Sequence, residues 1–326
     1  MINLNTILKK NPTKIFKKTK AQGFISGAVR YIMLLAIGYI VMYPIFYMVS
    51  GALKSEKALL DAGYIWLPRF LTKEWFSVSF EFLDFNNSIK QTLILQMSSA
   101  IIEVFVCAVV AYGFARFEFK FKKIAQAFLI LSLMIPLPMY GMSLALNYRS
   151  LDFVGILGLF NKLTGVDLRL DVFNTNFSYW LPALFGFGVR SGMLIYIYIQ
   201  FFKGLPYELE NAAYVDGAGP ITTFFKIALP SSSVVITTVA VLSIIWNWNE
   251  TYLSSLCFLS EKYPLSVMMM NFEQKLVQNG MLLENTPRAA SIVFCGCLIY
   301  LAIPLGVYLV LQRKFIKSID RVGITG

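Results

Sequence analysis

An all-α, polytopic membrane protein with six transmembrane helices follows from three properties of this 326-residue chain. It is 57% hydrophobic and 15% aromatic with only 14% charged residues, which leaves too little polar surface for a water-soluble fold of this length. The apolar residues gather into six runs, each near the about 20 helical residues needed to cross roughly 30 Å of hydrocarbon. Those runs lack the alternation over about ten residues that marks barrel strands, so helices that satisfy their own backbone groups are the spanning element.

A Lys-rich segment, residues 1–30, opens the chain with Lys9, Lys10, Lys14, Lys17, Lys18 and Lys20. Its charge suits a signal-peptide n-region. The apolar run behind it is longer than an h-region and is followed by five more, so the segment is read as setting topology and touching anionic lipid headgroups. Spans are expected at residues 31–53, 91–115, 124–146, 177–202, the middle of 227–257, and 289–311. They are interrupted by charge at Glu103, Arg190 and Glu250. Pro136 and Pro138 remove backbone donors from the third span and predict a kink there. The transmembrane domain is thus residues 31–311, with a polar loop at 203–230, and residues 312–326 form a tail.

Orientation follows from the basic residues, which are retained on the cytoplasmic side. With the N-terminus inside, the inner segments carry 17 Lys and Arg against 11 outside, and 5 acidic residues against 11. Both termini are therefore expected in the cytoplasm, in a plasma membrane crossed several times. The net charge of +11 is a consequence of this asymmetry and calls for no nucleic-acid partner.

Catalysis finds no footing. The chain has no histidine and no GxxxxGK[ST] phosphate loop; the nearest Gly-rich piece, Gly217-Ala218-Gly219-Pro220, has no Lys after it. Cys107, Cys257, Cys295 and Cys297 have neither metal nor redox spacing and are read as packing residues. No nucleophile or acid–base pair assembles. Energy for any transport must come from another polypeptide or an ion gradient.

The loop at 203–230 is the informative segment. Pro206 suits a first helical position, Glu208 and Glu210 sit favourably near that N-terminus, and Leu209, Ala212 and Ala213 share a face by their i, i+3, i+4 spacing. Asp216-Gly217 supplies the stop, Gly217 taking positive φ, and Pro220 restarts a helix that leads through Phe224, Phe225 and Ile227 to Pro230. Periodicity alone fits a loop helix resting on the bundle as well as one that docks into another protein's groove.

Glu210-Asn211-Ala212-Ala213-Tyr214-Val215-Asp216-Gly217-Ala218, with Phe225, Ile227, Leu229 and Pro230 downstream, resembles the EAA loop of permease subunits of bacterial ATP-binding-cassette importers. Ala111-Tyr112-Gly113-Phe114-Ala115-Arg116, Trp246-Asn247-Trp248-Asn249-Glu250 and Gln312-Arg313-Lys314-Phe315-Ile316-Lys317 resemble segments of the carbohydrate branch, the smaller permease of the maltose type. The resemblance implies a type I importer permease that pairs with a second, homologous permease and sits on two copies of a cytoplasmic ATPase. An extracytoplasmic binding protein would deliver a carbohydrate, an oligosaccharide in this branch. ATP and Mg would be bound by the partner ATPase, with no cofactor in this chain. It further implies ATPase coupling through Glu208, Glu210, Asn211, Ala212, Ala213, Asp216 and Gly217. The family's Glu before the two alanines is Asn211 here, an uncharged hydrogen-bonding group beside Glu210.

Charges at membrane depth face a bundle interior or a wet cavity. Counting about 1.5 Å per residue puts Glu103 roughly 18 Å and Arg190 roughly 20 Å from the outer ends of their spans, so the two are expected to pair or jointly line the path. Independent structural placement fits the same depths. Trp246, Asn247, Asn249 and Glu250 offer ring faces and amides suited to a sugar at the cavity or its outer gate, and equally to an interfacial anchor. Two other classes stay open on the residues alone. An ion-coupled secondary transporter would use Glu103 and Arg190 but leaves the loop unexplained, and a scaffold or sensor would need an output domain of which there is no sign.

Overall fold

The structure, a computed structural model, describes residues 20–59, 70–152, 155–280 and 287–323. Most of the Lys-rich segment, together with Asp61, Glu284 and Gly326, lies outside them. Among the described residues there is no β-strand, only the isolated bridges Lys54 to Leu71 and Leu151 to Leu170.

Three of the six apolar runs form helices long enough to cross a membrane alone. The first is α1 (Lys20–Leu53), whose apolar stretch is almost wholly exposed. After the short α2 (Glu74–Phe82), the second is α3 (Phe85–Arg116), which starts six residues before the expected span and contains a π-turn at Leu93–Met97. The chain ends in α15 (Pro287–Gly323), which carries the last span straight into the expected tail.

The other runs are broken, and the sequence explains where. The third divides into α4 (Lys122–Met134) and α5 (Leu137–Tyr148), which meet at 103°. Pro136 forces Ile135 out of the helical region (φ −85°, ψ 111°), and Pro138 opens the next helix. Outside the bundle, Ile156–Thr164 forms α6. The fourth run, expected as one span, is split into α7 (Phe177–Leu184) and α8 (Ser191–Gly204) by a turn in which Gly186 and Arg190 have φ of 74° and 55°. Neither half is long enough to cross alone. Next come α9 (Tyr207–Val215), α10 (Pro220–Ser231) and α11 (Ser233–Trp248), with a 79° bend between the last two. The fifth run then breaks at Asn249–Thr251 before α12 (Tyr252–Cys257). Among the described residues, counting each bent pair as one span gives up to five crossings by length and composition, with the split fourth run outside that count.

Two short helices, α13 (Leu265–Met270) and α14 (Phe272–Gln278), pack with α2 against α15. Their core holds Trp75, Trp248, Leu265, Phe272, Leu276 and Ile292. At the Arg116 end, α3 lies along α8 through Cys107, Ala108, Ala111 and Ala115, small residues that let Leu194, Tyr198 and Phe202 approach its backbone. By contrast, α4 has no buried residue.

Candidate functional site

α9 is held between two backbone punctuation marks. Pro206 turns out to be its N-cap, one position before the expected one, with ψ of 130°. At the other end Gly217 takes φ of 82°, its N–H bonds to the Tyr214 carbonyl at 3.0 Å, and the Ala218 N–H reaches back to the Ala213 carbonyl at 2.9 Å. This paired closure needs a left-handed residue, which glycine supplies without a Cβ clash. Gly219 and Pro220 start α10 immediately afterwards.

The side chains of α9 divide into two sets. Glu208, Leu209, Asn211, Ala212, Tyr214, Val215, Asp216 and Gly217 are exposed. Ala213 and Glu210 are buried, at 7% and 2% exposure. Leu209, Ala212 and Ala213 nonetheless keep their expected common face, since all three line one groove, with Ala213 at its buried floor. A groove of about 360 Å³ lies between α9 and α10, lined by Leu209, Ala212, Asp216, Thr222, Lys226 and Ile227 among others. Glu210, expected on the outward contact surface, accepts from Arg116 Nε at 2.8 Å and from the Tyr112 hydroxyl at 3.2 Å. A carboxylate taken out of water needs such partners, which is why it turns inward toward the end of α3.

Deeper in the bundle a second polar chain links α3, α7 and α11. Glu103 is fully buried; its Oε2 accepts from Ser243 Oγ at 2.7 Å and Asn247 Nδ2 at 2.9 Å. Asn247 in turn accepts from the Tyr179 hydroxyl at 3.4 Å. The other face of the carboxyl lies against the 186–190 turn, where a Cβ at Gly188 would collide with Glu103 Oε1. The expected ion pair of Glu103 with Arg190 is not formed. Arg190 is exposed at the start of α8, with its guanidinium 5.1 Å from the ring centroid of the half-buried Trp246. The left-handed turn aims Arg190 away from α3, leaving Glu103 to neutral donors.

Glu250 is also buried. It accepts from the N–H groups of Leu253 and Ser254 at 2.7 and 3.1 Å and from Ser254 Oγ at 2.9 Å, satisfying the first donors of α12. Gln96 and Ser266 bond its backbone carbonyl. Asn249 is exposed and accepts from the Tyr300 hydroxyl at 3.2 Å. Arg190 and Asn249 are exposed and Trp246 is half-buried, although Asn249 also donates to the Ile245 carbonyl at 2.8 Å; Glu103, Asn247 and Glu250 are buried and bonded within the chain. Sequence reasoning did not identify Gln96, Ser243 and Tyr179 as partners. Their signal was available as neutral polar residues inside apolar runs, where each must find a hydrogen bond.

Among the exposed loops, Arg169 bonds Asp167 at 2.6 Å and holds its carboxyl low, at about 2.

Protein LplC of Bacillus subtilis is 23% identical over 306 residues, covering 92% of this chain and 94% of its own length. The galactooligosaccharides transport system permease GanQ of the same organism is 25% identical, covering 94% and 98%. A probable ABC transporter permease of Pyrococcus horikoshii is 30% identical over 233 residues, 71% and 72% of the two chains. In fold, the chain resembles one from the crystal structure of a bacterial ABC transporter involved in the import of the acidic polysaccharide alginate. The TM-score is 0.62 at 16% identity, with 91% and 98% coverage. Residues 103–318, from the buried Glu103 through the α9 loop to the end of the last span, match the family described as binding-protein-dependent transport system inner membrane component, and to that family of transport permeases the chain belongs.

Proposed function

We propose that this permease takes up an oligosaccharide, forming half of the translocation path with a second, homologous permease and drawing energy from two copies of a separate ATPase. The observation that carries the reading is α9, a helix capped at both ends that presents Glu208, Asn211, Ala212, Asp216 and Gly217 outward while Glu210 fixes it to α3. Such a helix suits insertion into a groove of the ATPase, and its displacement on nucleotide binding would reorient the spans. ATP and Mg belong on that partner. A binding protein outside the membrane would deliver the sugar, consistent with relatives named for galactooligosaccharide, trehalose and α-glucoside transport.

In this reading the residues 203–230 face the cytoplasm with both termini, residues 31–311 form the transmembrane domain in the plasma membrane, and 1–30 and 312–326 flank it. Arg190, Trp246 and Asn249 offer a cation, a ring and an amide to the path, a combination suited to sugar hydroxyls and ring faces. Glu103, Asn247 and Glu250 shape that wall from within.

The test is a cysteine crosslink from Ala212, which is exposed, rather than Ala213, which is not. Crosslinking to a co-expressed ATPase that changes with nucleotide is expected, together with ATP-dependent uptake of labelled galactooligosaccharide, trehalose or an α-glucoside in vesicles holding the whole complex. Uptake by this chain alone, driven by an ion gradient, would overturn the reading in favour of a secondary carrier.

A further inference from the structure

We propose that Arg116 is a positioning residue that carries displacement of α9 into α3; the idea rests on α9 being the ATPase-facing helix. Arg116 closes the last turn of α3, and its side chain holds three separate parts of the loop. Nε bonds Glu210 Oε1 at 2.8 Å, Nη2 bonds the Leu205 carbonyl at 2.8 Å, and the guanidinium plane lies 4.1 Å from the centroid of the Tyr207 ring. Tyr112, one turn earlier, bonds the other oxygen of Glu210 at 3.2 Å. The tyrosine is itself locked among Phe117, Phe202 and Phe224, with ring centroids at 5.8, 5.4 and 4.9 Å.

The two charged side chains are 2% and 3% exposed, whereas the Lys122–Glu118 and Arg169–Asp167 pairs lie open to their surroundings. A desolvated ion pair gains little or no net stability over apolar residues of the same shape, so its contribution here is geometric. The rigid guanidinium plane divides its donors between the Glu210 carboxylate and the Leu205 carbonyl, which fixes both ends of the loop's entry into α9 relative to α3. The chain's covalent links to α9 are weaker guides. On one side stands Leu205-Pro206 in extended backbone, on the other the turn through Gly217 and Gly219. Arg116 therefore provides the stiff connection, and it leads somewhere. From Arg116, α3 runs unbroken back to Ser98, about 27 Å of helix, passing Glu103 and its bonds to Ser243 and Asn247 on α11. Movement of α9 would arrive at the middle of the bundle through α3, in addition to the covalent routes through α8 and α10.

The experiment uses the complex with the ATPase that co-purifies, on a background lacking the four native cysteines. Two readouts are taken with ATP and vanadate: the Ala212→Cys crosslink to the ATPase, and the distance between spin labels at Val109→Cys on α3 and Leu305→Cys on α15, both exposed positions. Arg116→Ala is expected to keep the crosslink within twofold of the parent while the nucleotide-dependent distance change falls at least threefold. Arg116→Lys, which keeps charge but loses the fork and the ring contact, is expected to fall between. Should Arg116→Ala fail to accumulate in the membrane, Glu210→Gln, which keeps the shape and loses the charge, is read in the same way. A full distance change in these variants overturns the proposal. So does loss of crosslink and distance change by the same factor, since that marks a residue needed only for docking. If the parent itself shows no ATPase and no crosslink, the reading of α9 has failed, and the proposal falls with it.

Discussion

Glu210, packed on the end of α3, and Glu103, on α3 itself, are both buried carboxylates, and the chain partners them in different ways. Glu210, at the Arg116 end, receives a guanidinium and a phenol, and that guanidinium in turn lies over the Tyr207 ring. Glu103, midway along, receives a hydroxyl and an amide, while Arg190 lies over Trp246 instead of pairing with it. An ion pair suits a junction between two elements that must keep one relative geometry. Neutral donors suit a site whose surroundings carry no compensating charge. The difference teaches that a buried acid in this chain is not evidence of a nearby base, and that its partner set distinguishes a joint from an internal brace.

The comparison is broken most forcefully at Arg116. Arg116→Ala leaves Glu210 buried without its cation and is expected to lower stability in detergent by about 3–5 kcal/mol, read from chemical unfolding. Replacing both residues by apolar side chains, Arg116→Met with Glu210→Leu, should recover most of that loss. Recovery of less than half would mean that the pair itself, and not the vacancy, supplied the stability. At the other site, Gly188→Val sets a side chain against Glu103 Oε1 and the Ala183 Cα, 3.1 Å from the position of a new Cβ. Overpacking there is expected to cost about 1–3 kcal/mol, and Gly188→Val combined with Glu103→Ala should cost less than the sum of the two. Ser243→Ala removes one neutral donor from Glu103 and should cost about 0.6–1.7 kcal/mol, as membrane hydrogen bonds do. A loss comparable to that of Arg116→Ala would erase the distinction between the two sites.

Two smaller effects sharpen the geometry. Maleimide should label Ala212→Cys at least tenfold faster than Ala213→Cys, given their different exposure on adjacent positions of α9. In the exposed loop, Arg169 depresses the Asp167 carboxyl to about 2 from an ordinary value of 3.8, so whatever the clip contributes is present above that range and lost as pH falls through it. Melting of Asp167→Asn should therefore track the parent at constant offset from pH 5 to 9, with curves converging only in strong acid.

Apolar length made the membrane class and the runs legible, and proline chemistry marked the break at Pro136. The split between α7 and α8 was hidden because residues 185–190, FGFGVR, read as apolar on average while Gly186 and Arg190 leave the helical region. The loop helix and its stop at Gly217 were legible from local rules. The inward turn of Glu210 was not: Arg116 lies 94 positions away, and periodicity on α9 cannot say which face meets α3. The partners of Glu103 were likewise unreadable, since helical rise sets position along a helix and leaves azimuth to packing.

α4 carries a further consequence. None of its 13 residues is fully buried, and its contact with the rest of the described chain is confined to a narrow seam where Leu129, Ser132 and Leu133 meet α8 and its core. The helix is about 20 Å long, short of the roughly 30 Å of hydrocarbon around it, and ends at a near-right-angled bend. With so narrow a seam, the thickness of the surrounding lipid acts on this segment as a thermodynamic variable. In a series of bilayers of increasing acyl length, the angle at Ile135 is expected to change, because the bend there lets α4 tilt without carrying α5 with it.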